Sequence, residues 1–176
     1  MKDMGLKITE KIVQYNLYQR YNLNHKIFAT NYYLYFGECD FLTIDKNSLI
    51  HEFEIKLDYY DYKADFKKEE KHKEFKLATT STPNFFNYVC PEGMIKKEET
   101  PSYAGLIYFK VSDRNWGEGL PVLNFKVIKN RVVLHDYPIE SGVKDRIMLS
   151  MMYKTWNLKK KEFALKTCIK GLRDNK

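Results

Sequence analysis

Glycine and proline are scarce in this chain, eight and five among 176 residues, and cysteine is scarcer still at three. With no stretch where glycine, proline and serine gather, a collagen-like repeat, a low-complexity tract and a linker-jointed array are excluded. Cys39, Cys90 and Cys168 are odd in number and far apart. They suggest neither a disulfide framework nor the Cys-x-x-Cys pairs of a zinc site. No apolar run approaches the ~18 residues of a membrane span. The opening MKDMGLKITEKIVQYNLYQRY lacks the apolar core of a secretory leader. The expectation is a reduced, cytoplasmic protein with no membrane partner. The WGEG stretch has glycines but not the Gly-x4-Gly-Lys-Ser/Thr of a phosphate loop, and no Gly-x-Ser-x-Gly elbow occurs, so serine-triad chemistry is set aside.

Apolar and aromatic residues are plentiful, 44% and 15% of the chain, which predicts a globular fold with a real core. The expectation is a single domain over residues 1–176. Thirty basic against 23 acidic residues leave a net charge of +7. That excess favours a polyanionic partner only weakly, because most such charge solvates a surface. Apolar spacing predicts a helix over 7–21, with Ile12, Val13, Leu17 and Tyr21 in one stripe. Strands follow at KIFATN, YYLYFGECDFLTID and SLIHEFEIKL, the last two joined by an Asp45–Ser48 turn. Residues 59–77 read as one charged helix with Tyr59, Tyr62 and Phe66 turned inward. NFFNYVC, stopped by Pro91-Glu92-Gly93, and YAGLIYFKV read as strands, LNFKVI and RVVLHDY as a short hairpin, and 143–170 as a last helix. In that helix Ile147, Met151, Lys154, Leu158 and Leu165 fall near one face. The order predicts an α/β fold, a mixed central sheet flanked by helices.

One hairpin puts charge where a strand should be apolar. In GECDFLTIDKNSLIHEFEIK, period-two alternation sets Glu52, Glu54 and Lys56 on one face and Phe53, Ile55 and Leu57 on the other. Pairing through the four-residue turn brings Asp40 near Glu54 across the ladder. A solvated face with cross-strand ion pairs would account for this much. The alternative is chemical. Two carboxylates among strands that otherwise look central need a cation, and Mg²⁺ is the hard ion held by one or two carboxylates and water. Such an ion delivers a nucleophilic water to a phosphodiester. A lysine on the same face orients that water, or deprotonates it where a dry site lowers its pKa.

Asp40 followed by Glu54-Ile55-Lys56 resembles the PD-(D/E)XK nuclease superfamily. The run from Glu38 to Phe75, with NYVCPEGMI and PSYAGLIYF after it, is similar to small phage and bacterial nuclease-like proteins near the MmcB-like DNA-repair endonucleases. The resemblance covers about residues 7–111 and implies a restriction-endonuclease-like α-β-β-β-α-β core. It implies metal binding by Asp40, Glu54 and the Ile55 carbonyl, with Lys56 assisting the water. The ion would be Mg²⁺, with Mn²⁺ as substitute. Two positions depart from the pattern: Cys39 stands where the family often has proline, and Asp58 where a serine often follows the lysine's strand. The implied activity is hydrolysis of DNA, favouring an endonuclease over an exonuclease, in repair, recombination or phage DNA metabolism. A branched or single-stranded substrate and a homodimer are both compatible with it. A catalytically inactive nuclease-fold protein, binding nucleic acid or serving as an interaction module, is the alternative.

Other residues carry less. Glu10 precedes Val13 and Leu17 by three and seven positions and so faces the core. It is either a first-turn acid complementing the helix dipole or, by the resemblance, a helix-borne metal ligand and catalytic residue. Asp61, Asp65, Lys68 and His72 share a helix face as a solvated patch or a strand-contacting one; Lys63, Lys68 and His72 are the weak candidates for nucleic-acid contact. His25, His51 and His135 have no partner at ligand spacing. The terminal block Lys159-Lys160-Lys161 with Lys166, Lys170 and Arg173 could follow a phosphate backbone or solvate a helix.

Overall fold

A computed structural model describes residues 7–112 and 120–174, so the WGEG stretch lies outside the described residues. The chain divides into two compact units, Met1–Ile139 and Glu140–Lys176. The first holds α1 (Glu10–Tyr21), β1 (His25–Leu34), β2 (Gly37–Asp45), β3 (Ile50–Ile55), α2 (Tyr59–Asp65), α3 (Glu69–Leu77), β4 (Phe85–Pro91), β5 (Ala104–Val111) and β6 (Leu123–Lys129). The second is one helix, α4 (Ser141–Asp174).

The strands form one six-stranded sheet in the order β1-β2-β3-β4-β5-β6. β1, β2 and β3 make an antiparallel meander, β3, β4 and β5 run parallel, and β6 returns antiparallel. A parallel neighbour needs a long crossover, and α2 with α3 supplies it between β3 and β4. The expected α/β class with a mixed sheet flanked by helices is what the chain adopts.

Strand alternation assigns a core to each face. On one, Val13 and Leu17 of α1 pack over Phe41, Phe53, Ile55 and Val89. On the other, Tyr62 of α2 and Phe75 of α3 pack over Phe86, Tyr88 and Leu106. Every residue of β3 is buried, so Glu52 and Glu54, which alternate with Phe53 and Ile55, point under α2 and α3 rather than into water. That is the first consequence of placing a charged strand at the centre of a sheet.

Four expectations need correction. The helix at 59–77 is broken after Asp65, and Lys67 and Lys68 donate to Ala64 O and Asp65 O three residues back. On an unbroken helix Asp65 and Lys71 would point about 120° apart; the break lets Lys71 reach both Asp65 and Glu54. β1 runs on through YYL and turns at Tyr35, whose φ is 53°, so YYL belongs to β1 and not to β2. Residues 131–137 are not a strand. They are latched by Asn84, whose side chain donates to His135 O and Tyr137 O, both at 2.9 Å. Finally α1 begins at Glu10, three residues later than the spacing suggested. In α4, Leu158 and Leu165 of the expected stripe are exposed, and Glu162 pairs with Lys166 at 2.6 Å.

Packing between β4 and β5 leaves no room at Gly105. An added Cβ would lie 2.5 Å from Asn87 Oδ1 and 3.0 Å from the Arg131 backbone. Gly105→Ala should therefore destabilise the protein by about 1–3 kcal/mol, the usual range for overpacking, measured by urea unfolding. A midpoint equal to wild type would show that the Asn87 and Arg131 segments yield freely.

Candidate functional site

β2 and β3 pair from Ile44↔Ile50 to Phe41↔Phe53 and then separate. Into that separation Asp40 sends its side chain, and Oδ2 accepts the Ile55 N–H at 2.6 Å. The carboxylate thus takes over a backbone donor that the ladder has released. Beside it lies Glu54, only 2% exposed. Its Oε1 is 3.0 Å from Lys56 Nζ and 3.5 Å from Lys68 Nζ. Its Oε2 accepts from Lys71 Nζ at 2.9 Å. The expected trio of Asp40, Glu54 and Lys56 is therefore one cluster.

The cluster extends further than the motif. Asp65 faces Lys68 at 3.0 Å and Lys71 at 3.6 Å, accepts from Tyr88 OH at 2.8 Å and lies 3.4 Å from His72 Nε2. Burial alone would raise its carboxyl, but His72, Lys71, Lys56 and Tyr88 outweigh it and hold Asp65 well below the usual range. Glu52 is buried too, and burial pushes it up to about 7 although Lys71 pulls the other way. Asp40 is likewise pushed up to about 7, first by burial and then by Glu54, against the Ile55 N–H; Glu10 adds to the rise. These two carboxyls lack positive charge even with three lysines near.

Lys56 departs from one expectation. Burial would lower its pKa, but Glu54, Asp65 and Asp61 together raise it above its ordinary value; Asp61 Oδ2 is 3.3 Å away. In this setting it is a held ammonium and not a ready base.

Glu10 stands at the first residue of α1, and Oε1 accepts from Gln14 Nε2 at 2.6 Å and Asn31 Nδ2 at 2.9 Å. Gln14 Nε2 also lies 2.8 Å from Asp40 O. Glu10 is thus tied to the Asp40 backbone through Gln14. His72 is not available to a phosphate: it is buried, stacks on Phe66, and its ring bonds Tyr103 OH and Asp65 O. Its place in the nucleic-acid set is withdrawn, because an inward ring completes the Asp65 network. Lys63 is exposed but stands apart, over the Tyr59 and Tyr62 rings and 4.0 Å from Glu99. Lys68 is half exposed and belongs to the cluster. Among the other histidines, His51 is buried against Phe85 and bonds Asp45 at 3.2 Å; burial and then Arg131 push it down to about 4.

Sequence reasoning missed Gln14, Glu52 as a buried member, and Lys71. Lys71 carried a signal: it lies three residues after Lys68, on the α3 face that also bears Phe75. Among the described residues, no group of three or more His, Cys, Asp or Glu side chains is gathered as a metal-ligand set.

No family model and no curated protein matches the chain. A solved structure of the SPO1766 protein of unknown function from Silicibacter pomeroyi is similar at 10% identity, with a TM-score of 0.47, over 75% of this chain and 76% of that one.

Two measurements probe the electrostatics. Asp40 has a folded pKa near 7 against about 3.9 unfolded, so the folded state holds its proton longer. Its contribution to stability is then present below pH 4 and is lost as pH rises through 7. Asp40→Asn keeps an acceptor for Ile55 N–H and should raise the melting temperature at pH 8 but not at pH 4; equal shifts at both would refute the assignment. Lys71→Met strips Glu54 and Asp65 of a buried partner and should cost about 3–5 kcal/mol. Adding Glu52→Gln should restore part of that loss, and strict additivity would show Lys71 and Glu52 to be uncoupled.

Proposed function

We propose that this chain is a metal-dependent nuclease with a restriction-endonuclease-like core, cleaving phosphodiester bonds of DNA in repair, recombination or phage DNA metabolism. The observation that carries this reading is the juxtaposition of half-buried Asp40 and buried Glu54 where β2 and β3 part, with the Lys56 ammonium on Glu54. The helix–meander–helix–parallel strand order from α1 to β4 supports it.

The residues fit a divalent ion by their chemistry. Both carboxylates offer hard oxygens suited to Mg²⁺, and the raised Asp40 carboxyl marks a place short of positive charge. Asp40, Glu54 and the Ile55 carbonyl would hold the ion with water, and Glu10 would join through a change in its Gln14 and Asn31 bonds. When bound, Mg²⁺ or Mn²⁺ supplies Lewis acidity and an activated water. The protein's own groups do the rest. Lys56 stays protonated and orients an oxygen nucleophile or a phosphate oxygen, Lys71 holds Glu54 from the far side, and half-exposed Lys68 reaches a phosphate.

A second reading has one observation in its favour: both Glu54 oxygens already have lysine partners. A protein that replaced its metal by Lys56 and Lys71 would be an inactive nucleic-acid-binding or interaction module. Incubation with plasmid, branched and single-stranded DNA in Mg²⁺, Mn²⁺ or EDTA separates the two. The nuclease reading expects metal-dependent cleavage that falls about a hundredfold or more in Asp40→Asn, Glu54→Gln and Lys56→Ala, with double variants little worse than single ones. Glu10→Gln should lose about tenfold, less than the ~10²–10⁴-fold of a group that itself transfers the proton, and recover in part with Mn²⁺. Full activity in folded Asp40→Asn or Glu54→Gln would refute the site.

A further inference from the structure

An open cleft adjoins the carboxylate cluster through Lys68. A cleft of about 610 Å³ runs between the β1–β2 turn and the start of α3. That volume lies within the ~300–1,000 Å³ of sites that take small organic groups. Tyr33 and Tyr35 line one wall, and Lys67, Lys68, Glu69 and Glu70 the other. Lys68 joins the cleft to the carboxylate cluster, since the same ammonium lies 3.5 Å from Glu54 Oε1 and 3.0 Å from Asp65 Oδ1.

The aromatic wall is built from an exposed ring and a tight turn. Tyr33 leaves 74% of its surface in water, although a ring of that size gains most from burial. Tyr35 sits at φ 53°, as the first residue of the two-residue turn between Leu34 and Gly37 requires. Strand end and turn together put both tyrosines at the mouth of one cleft.

Aromatic faces opposite an ammonium suit a nucleotide. The ring stacks on a base while the ammonium meets its phosphate. Within a duplex the faces of the bases are already stacked, so only an unpaired base can present one to Tyr33. Glu69 and Glu70 on the lysine wall oppose a long run of phosphates. Affinity must then come from the stacked base more than from counterion release. We propose that this cleft is a subsite for an unpaired nucleotide of a single-stranded nucleic acid, its base on Tyr33 and its phosphate toward Lys68 and the Asp40–Glu54 pair. The fate of that phosphodiester rests on the nuclease reading; binding does not.

Fluorescence anisotropy in EDTA tests binding without cleavage. Labelled oligothymidylate, oligouridylate and a duplex of equal length are titrated against wild type, Tyr33→Ala and Tyr33→Phe. Both single strands, or either, should bind about tenfold or more tightly than the duplex. Tyr33→Ala should lose about tenfold, as expected for one stacked base, and Tyr33→Phe should bind like wild type. The salt slope should correspond to one or two phosphates, about −0.7 for each. Tyr33 is exposed, so circular dichroism should show both variants folded. Preference for the duplex, or equal binding by Tyr33→Ala, overturns the subsite. Metal-dependent cleavage of duplex without single-strand binding sinks the subsite and leaves the nuclease reading. Tyr33-dependent binding without cleavage in any metal sinks the nuclease reading and leaves the subsite.

Discussion

Glu54 is held from two sides by Lys56 and Lys71, and the centre of the molecule is arranged around that fact. A carboxylate at the middle of a buried strand is unfavourable unless cations meet it. Lys56 comes from the end of the same strand, and Lys71 comes from the crossover. Because an unbroken helix cannot aim Asp65 and Lys71 at one point, the crossover is kinked after Asp65. The kink in turn sets Phe66 and His72 face to face and brings Tyr103 and Tyr88 into the same network. Sheet order, helix break and buried polar network are thus linked through one side chain.

This arrangement bears on how the site would change on binding an ion. Glu54 is fully engaged, whereas Asp40 and Glu52 have raised carboxyls. A divalent cation would relieve repulsion between Asp40 and Glu54 while competing with the Lys56 and Lys71 contacts. The balance between lysine and metal on one carboxylate is therefore the quantity that would separate the two readings proposed above.

Much of this was legible in the residues, and what was not has a physical cause. Alternation in β3 placed Glu52, Glu54 and Lys56 on one face because a period of two leaves no choice once Phe53 and Ile55 face a core. The Asp40–Glu54 approach followed from the turn length. The helix break was hidden because charged residues fill positions 67–71 and no glycine or proline marks the interruption; tertiary demand on Asp65 and Lys71 made it. His72 looked like a surface histidine for the same reason, since its helix face is read as solvated when its neighbours are lysines and glutamates. Residues 131–137 had the β-branched run of a strand, yet the ladder they would join is replaced by one asparagine. Gln14 gave no sign, because an amide on a helix bonds equally well to water.

That asparagine has a wider consequence. Asn84 accepts from Ile50 N at 2.7 Å through Oδ1 and donates to the carbonyls of His135 and Tyr137, while Leu134 N donates to the Asn84 main-chain carbonyl at 2.9 Å. Ile139 N reaches Ser48 O at 2.9 Å. A stretch without regular structure is thereby made part of the sheet's cooperative unit. The Leu134 amide, bonded to Asn84, should therefore open with β3 and β4 rather than fray as a loop amide would. Solvent exchange along the chain would then follow the reach of one side chain, not the boundary of any strand.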